Sequence, residues 1–383
     1  MFEVVVGHSN DPDSQEAVAE ILEQCLSALA GKTPQAGILY AAIDFEHDLI
    51  LEKIYQQFPQ LELIGGTTDG EISSQLGFQD DSLTIMLFCS DEVKIRAGIG
   101  KEASQRPSIA VKQAISLAKA EIDREVSLCI ALPDGLKSNG VVLIKALKQE
   151  LGSKATIVGG FTADSWRFEQ TYQFYQRQVL TDTIPVLLFS GNLLVSCGVN
   201  SGWNPIGKKS QVTKVKQNIL YEVDGKPALD FYRYYLGDLF PSLEYPLAVY
   251  EPDNHKFYLR APNGYDRELG TINFLADIPE GSFVQITETT REAILSSSEV
   301  SMQDAMERYP GYKPAAALFF SCAARRQVLG TKAKEEYQMV KQHLQFDLPS
   351  CGFYSNGEIA PLEKYGATLF HNETFITVLL GTK

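Results

Sequence analysis

GGTTDGEI, residues 65–72, sits between an amphipathic helical stretch and a run of short apolar segments, and related octapeptides occur twice more. GGFTADSW (159–166) and GFYSNGEI (352–359) align with it without gaps. Gly opens all three, the fourth position is Thr, Thr and Ser, and the sixth and seventh read Gly-Glu, Asp-Ser and Gly-Glu. The flanks agree. Ahead of each octamer lies an apolar stripe at helical spacing: Ile50, Ile54 and Phe58; Val141, Ile144, Leu147 and Leu151; Tyr337, Val340 and Leu344. A short apolar strand precedes each helix (GILYAA at 37–42, SLCIAL at 127–132, AALFFS at 316–321), with another strand and helix before it. Two strands follow, ending in LTIMLFC, IPVLLFS and FITVLLG.

The implied unit is β-α-β-α-β-β-β, present in three divergent copies. The first two octamers begin 94 residues apart and the next interval is 193, so the second half must also hold an insertion. The expected layout is unit one at 1–95, unit two at 93–196, an insertion at about 197–282 and unit three at about 283–381, opened by the strand FVQIT. Alternating helices and strands with closing hairpins give an α/β fold: mixed β-sheets with covering helices. Pro227, in the turn DGKPA, suits the start of a helix, where a missing N–H costs nothing.

At 383 residues, with 44% hydrophobic and 21% charged residues, the chain has globular composition and enough length for a large core. A net charge of −14 argues against nonspecific binding to nucleic acid or anionic membrane. No stretch approaches the ~18–20 apolar residues of a membrane helix, and the N-terminus lacks a signal-peptide pattern. The six cysteines show no metal-type spacing and lie mostly in apolar runs, as buried thiols of a reducing compartment would. The expectation is a soluble cytoplasmic protein.

The order GGTTDGEI, GWNPIG (202–207), LFFSCAAR (318–325), GFYSNGEI and FHNET (370–374) resembles the FIST family over nearly the whole chain. The resemblance implies a FIST-N region at 1–215 and a FIST-C region at 216–383. It implies a sensory module that binds a small ligand, with amino acids or similar metabolites as the class, and here an output through a signalling partner protein. It also aligns Cys322 and Arg325 with an FSC-x-x-R signature.

The glycine-rich corners could bring backbone N–H groups close to a ligand, and Glu71 and Glu358 could hold an ammonium group. In the middle copy Ser165 and Trp166 stand where the other two have Glu-Ile, so that corner forms without the carboxylate. The expected ligand site draws on Thr68, Asp69, Gly70 and Glu71; on Ser321, Cys322 and Arg325, whose guanidinium could clamp a carboxylate; and on Tyr354, Ser355, Asn356 and Glu358. Trp203 is placed at the junction of the two regions and Asn372 as a further polar contact. The octamers match neither GxGxxG nor GxxxxGKS, so no nucleotide cofactor is expected. His8, His47, His255 and His343 show no metal spacing, so no metal is expected either. A thiol-dependent hydrolase or transferase using Cys322 is the competing class, although nothing in the sequence places His371 or another histidine beside it as base, and an interaction scaffold is a third.

Overall fold

The computed structural model describes residues 2–251, 256–342, 344, 346–363 and 366–383. It contains three sheets of six strands with one strand order. In the first, Phe2–Ser9, Leu83–Ser90, Ala36–Ala41 and Glu62–Thr67 lie side by side. The second repeats the order with Val93–Lys101, Thr183–Gly191, Val126–Ala131 and Thr156–Gly160. The third does so with Leu194–Asn200, Phe375–Gly381, Ala316–Cys322 and Ser350–Ser355. In each sheet the last two of these strands pair in parallel and every other pairing is antiparallel.

Each sheet is completed by a hairpin borrowed from another unit. The hairpin Glu71–Ser73/Gly77–Gln79 joins the third sheet, Gln173–Tyr175/Gln178–Leu180 the first, and Glu358–Pro361/Thr368–His371 the second. The exchange is cyclic. Inner faces of all three sheets meet in one core that includes Ile38, Tyr40, Phe88, Ile130, Phe189, Phe320, Phe353 and Ile376. Outer faces are covered by the helices. Ser14–Leu29 and His47–Gln57 bury Ile21, Ile50 and Ile54 on the first sheet; Pro107–Lys119 and Gly140–Leu151 bury Val111, Ile144 and Leu147 on the second; Arg291–Arg308 and Ala333–Gln342 bury Ile294, Met302 and Val340 on the third. Each such aliphatic residue contributes about 1.5–3 kcal/mol by leaving water. The helical stripes read from sequence are thus the covering faces, except that Phe58 and Leu344 fall just past the ends of their helices.

Two details depart from the sequence reading. The unit has one more strand than expected, because the octamer spans two: its start ends one strand and, in the first and third copies, its Glu-Ile begins the exchanged hairpin. The strand opening the third unit is Leu194–Asn200, not FVQIT. Gly198 shows the equivalence: a side chain there would strike the Ser301 carbonyl, as one at Gly7 would strike Ile21 and one at Gly98 would strike Ala114. Phe283–Glu288 instead pairs with Asn204–Lys216 and Leu247–Tyr250 in a fourth, antiparallel sheet. This sheet also holds Tyr258–Arg260, Pro262–Asp266, Ile219–Val223 and Thr271–Phe274, and carries the helix Ala228–Leu236. A boundary at 215/216 would therefore cut a strand. The insertion leaves and re-enters the three-sheet body at Asn204 and Glu288, which are paired neighbours.

Candidate functional site

The three octamers converge and lock onto one another through backbone. The fifth residue of each donates its N–H to the third residue's carbonyl in the next: Asp69 to Tyr354 at 3.0 Å, Asn356 to Phe161 at 3.1 Å and Ala163 to Thr67 at 2.8 Å. Return bonds run from Tyr354 to the Gly70 carbonyl and from Phe161 to that of Gly357, both at 2.9 Å; Thr67 uses Tyr172 instead. The opening glycines are required by close approach, since a Cβ at Gly65, Gly159 or Gly352 would collide with the carbonyl of Leu39, Ala131 or Phe319. These backbone N–H groups hold the units together and leave none of the six for a ligand.

Glu71 and Glu358 are fully buried, each held between two hydroxyls. Glu71 bonds the hydroxyls of Thr68 and Ser82, and Glu358 those of Ser355 at 3.1 Å and Thr374 at 2.8 Å. The middle copy has not lost this group. Gln173 pairs with Gly66 of the first sheet, as Glu71 does with Phe353 of the third and Glu358 with Gly160 of the second. Its amide donates to Thr162 at 2.9 Å and accepts from the Thr183 hydroxyl at 3.2 Å, the same two positions. Extra residues between Asp164 and Gln173 displace it from the octamer; Asp164 caps that loop by accepting from Phe168, Glu169 and Gln170. Burial pushes both glutamic acids up to about 8, so at neutral pH each is an uncharged acid whose own O–H donates to one of its two hydroxyl neighbours while the other donates to it, as with the glutamine amide. His8 extends the first latch, lying 2.9 Å from Ser82 and 2.6 Å from Ser73, and burial holds its imidazole down at about 3.

Arg325 is not open to a ligand. It is completely buried and ion-paired with the equally buried Glu336. Its remaining N–H groups reach the carbonyls of Ser201 and Ile294 and the Ser297 hydroxyl. Glu336 also accepts from Tyr354 at 2.6 Å and Ser321 at 2.8 Å. The expected clamp is thus an internal tie among strand, helices and corner. The neighbouring Arg326 donates to the Asp69 carbonyl and to Asp80. Cys322 is buried; burial first, then Glu358 and Glu373 beside it, raises its thiol well above the ordinary range. His371 engages the Ala360 carbonyl at 3.0 Å. The thiol remains protonated, and thiolate chemistry gains no support. His255 and His343 lie outside the described residues.

Trp203 and Asn372 belong to a second group. An open cavity of about 430 Å³ separates the insertion from the third unit, with Ser201, Trp203, Tyr258, Arg308, His371 and Thr374 among its walls. Trp203 packs with Tyr250, Leu259 and Ile294, and its indole N–H reaches the Glu244 carbonyl at 3.1 Å. Between the two wall residues His371 and Thr374 runs the FHNET turn, with Glu373 in the left-handed region at φ 59°. His371 Nδ1, Asn372 Nδ2 and both Glu373 carboxyl oxygens are buried with no partner among the described residues. At the matching turn of the second unit Asp182 is satisfied by Ser104. The two groups of residues touch: Arg325 bonds the Ser201 carbonyl on the cavity wall, and Thr374 bonds Glu358. Sequence reading singled out Asn372 and Trp203 as site residues but not Glu373 or Thr374.

Three sheets that exchange hairpins, locked at glycine-rich corners and joined to an inserted second lobe, define a two-part α/β module. The chain belongs to the FIST family: residues 35–226 match the FIST N domain and residues 228–361 the FIST C domain. An uncharacterised protein of Methanocaldococcus jannaschii is 24% identical over 328 residues, covering 78% of this chain. The chain spans 61% of that relative's length. Two solved cyanuric acid hydrolases, one from A. caulinodans, align along the whole chain and 99% or 100% of their own, with TM-scores of 0.32 and 0.33 at 8% and 10% identity. No helix among the described residues is long and apolar enough to cross a membrane, and none of them forms a metal-type cluster.

Proposed function

We propose that this FIST protein is a cytoplasmic sensor of a small metabolite, with amino acids or similar compounds as the ligand class, and that it signals through a partner protein. The ligand occupies the cavity between the insertion and the third unit. One observation carries the placement: the turn that gives His371 and Thr374 to the cavity wall holds buried polar atoms of His371, Asn372 and Glu373 with no partner among the described residues. Such atoms cost about 1–3 kcal/mol each when left unpaired, and a ligand that supplied the missing bonds would recover that cost. The volume is that of a small-molecule site, with Trp203 as an aromatic wall. Six free thiols agree with a reducing compartment.

The test is a thermal-shift screen of amino acids and related metabolites, followed by calorimetry on each hit. Ligand at ~100 times its Kd should stabilise the fold by ~2.7 kcal/mol. Trp203→Phe and Thr374→Val should weaken binding at least tenfold (about 1.4 kcal/mol). Unchanged affinity in both variants would place the ligand elsewhere.

A further inference from the structure

The three units differ at the strand that opens each of them. Phe2–Ser9, Val93–Lys101 and Leu194–Asn200 are the outermost strands of their sheets, each paired along one edge. In an antiparallel pair alternate residues turn both backbone groups away from the partner strand. His8 does so, its N–H and C=O bonding the Gln24 side chain at 2.9 and 3.0 Å, and the Val6 carbonyl accepts from Gln75 at 3.3 Å. Val4 therefore belongs to the same outward set. Among the described residues its N–H and C=O, and the Val6 N–H, meet no partner on that side.

The second unit closes the matching edge. Ala97 corresponds to Val6, each standing one residue before the matched glycines Gly98 and Gly7. Its N–H is bound by Glu62 at 2.8 Å, and the Val93 carbonyl accepts from Gln35 at 3.1 Å. On the third opening strand Arg308 donates to the Cys197 carbonyl at 3.1 Å. Glu62 lies three residues ahead of Gly65, and Gln35 four ahead of Leu39, whose carbonyl Gly65 approaches. The same counts from Gly352 and Phe319 arrive at Pro349 and Ala315. Neither side chain has a donor or an acceptor. Where a cap would stand there is an open cleft of about 710 Å³, with Val4, Val6, Gln75, Tyr337, Leu348 and Pro349 among its walls.

We propose that this cleft takes an extended, apolar segment of a partner polypeptide, added as a further strand on the edge of Phe2–Ser9. Outward backbone groups two residues apart match the spacing of a strand, whereas a helix spends its own N–H and C=O groups internally. Tyr337 and Leu348 are suited to apolar side chains at alternate positions of that segment. The proposal rests on the reading that the chain signals through a partner, and adds where and in what conformation the partner docks. The cleft shares no wall residue with the cavity at Trp203.

The experiment uses the full chain and short unstructured peptides selected for binding from a displayed random library. The tightest peptide is remade with one backbone N-methyl group at a time and titrated by calorimetry. N-methylation should weaken binding at least about tenfold at alternate positions and less than about threefold between them. Pro349→Glu, which supplies the cap that Glu62 provides to Ala97, should weaken binding at least about tenfold, and amide hydrogen exchange at Val6 should slow toward that of Ala97. An N-methyl profile without the two-residue period overturns the inference without any variant having to fold, as does a Val6 amide already as protected as Ala97 in the free chain. Failure to select any peptide, or binding unchanged in folded Pro349→Glu, also overturns it. If light scattering shows a dimer that Pro349→Glu dissociates, the edge pairs with a second copy and the proposal falls. If metabolites bind at the Trp203 cavity while no peptide binds the cleft, this docking mode falls and the sensor reading stands.

Discussion

Glu71 and Glu358 look like ligand-binding acids in the sequence and behave as latches in the fold. Gln173, doing the same work with an amide, indicates that no charge is needed there. Glu71→Gln/Glu358→Gln should therefore fold with near wild-type stability at pH 6.5. The pH profile separates the two forms further. Each acid titrates at about 8 in the folded protein and near 4.3 when unfolded. Unfolding then releases protons across that window, so the stability they contribute is complete at low pH and declines as pH rises toward 8. His8, held at about 3, acts in the opposite sense but only below about 6.5. Urea unfolding between pH 6.5 and 8.5 should show a falling wild-type curve and a flatter one for the double glutamine variant; parallel curves would refute the neutral-latch assignment. Arg325 makes a different case. Removing it strands a buried Glu336 carboxylate, so Arg325→Ala should cost about 3–5 kcal/mol by the same assay. Residue types at these positions were legible in the sequence, but their partners were not, because Ser82, Thr183 and Thr374 lie 11, 10 and 16 residues beyond the groups they bind and reach them only through the fold of the hairpin between.

The helical stripes and apolar strands were readable because each element carries its own periodicity, as in Ile50, Ile54 and Phe58. The opening strand of the third unit was not. Leu194–Asn200 follows directly on the last strand of the second unit, and 90 residues separate Asn200 from Arg291, where its helix begins. A nearer β-rich segment, Phe283–Glu288, mimicked it. Backbone approach gives the assignment a direct test. Gly198→Ala must push against the Ser301 carbonyl and should cost more than about 2 kcal/mol. Gly264→Ala, with no atom within 4 Å of the new methyl, should change stability by less than about 0.5 kcal/mol. Equal effects in thermal denaturation would undo the register proposed for that strand. The middle corner hid its glutamine for a similar reason: the loop capped by Asp164 shifts Gln173 out of alignment while the sheet restores it.

The two family domains meet at residues 226 and 228, between Lys226 and the helix that starts at Ala228. That point lies inside the fourth sheet, and the hairpin exchange crosses it as well. Neither 1–227 nor 228–383 should then fold alone, whereas an equimolar mixture should regain native circular dichroism and cooperative melting. Independent cooperative unfolding of either fragment would show that the exchange is dispensable. How the units share strands was not legible, since a hairpin's sequence records its own turn and not the sheet that receives it. The cyclic loan of hairpins also bears on how the protein is made. Glu71 pairs with Phe353, so the hairpin that follows the first corner has no sheet to enter until nearly the entire chain has been translated. Pairing over such separations is slow, and until then the nascent polypeptide presents unpaired edges to its surroundings. Synthesis of this protein should accordingly lean on chaperones that shield those edges on the ribosome, and its yield should respond to their supply more than to any single substitution at its surface.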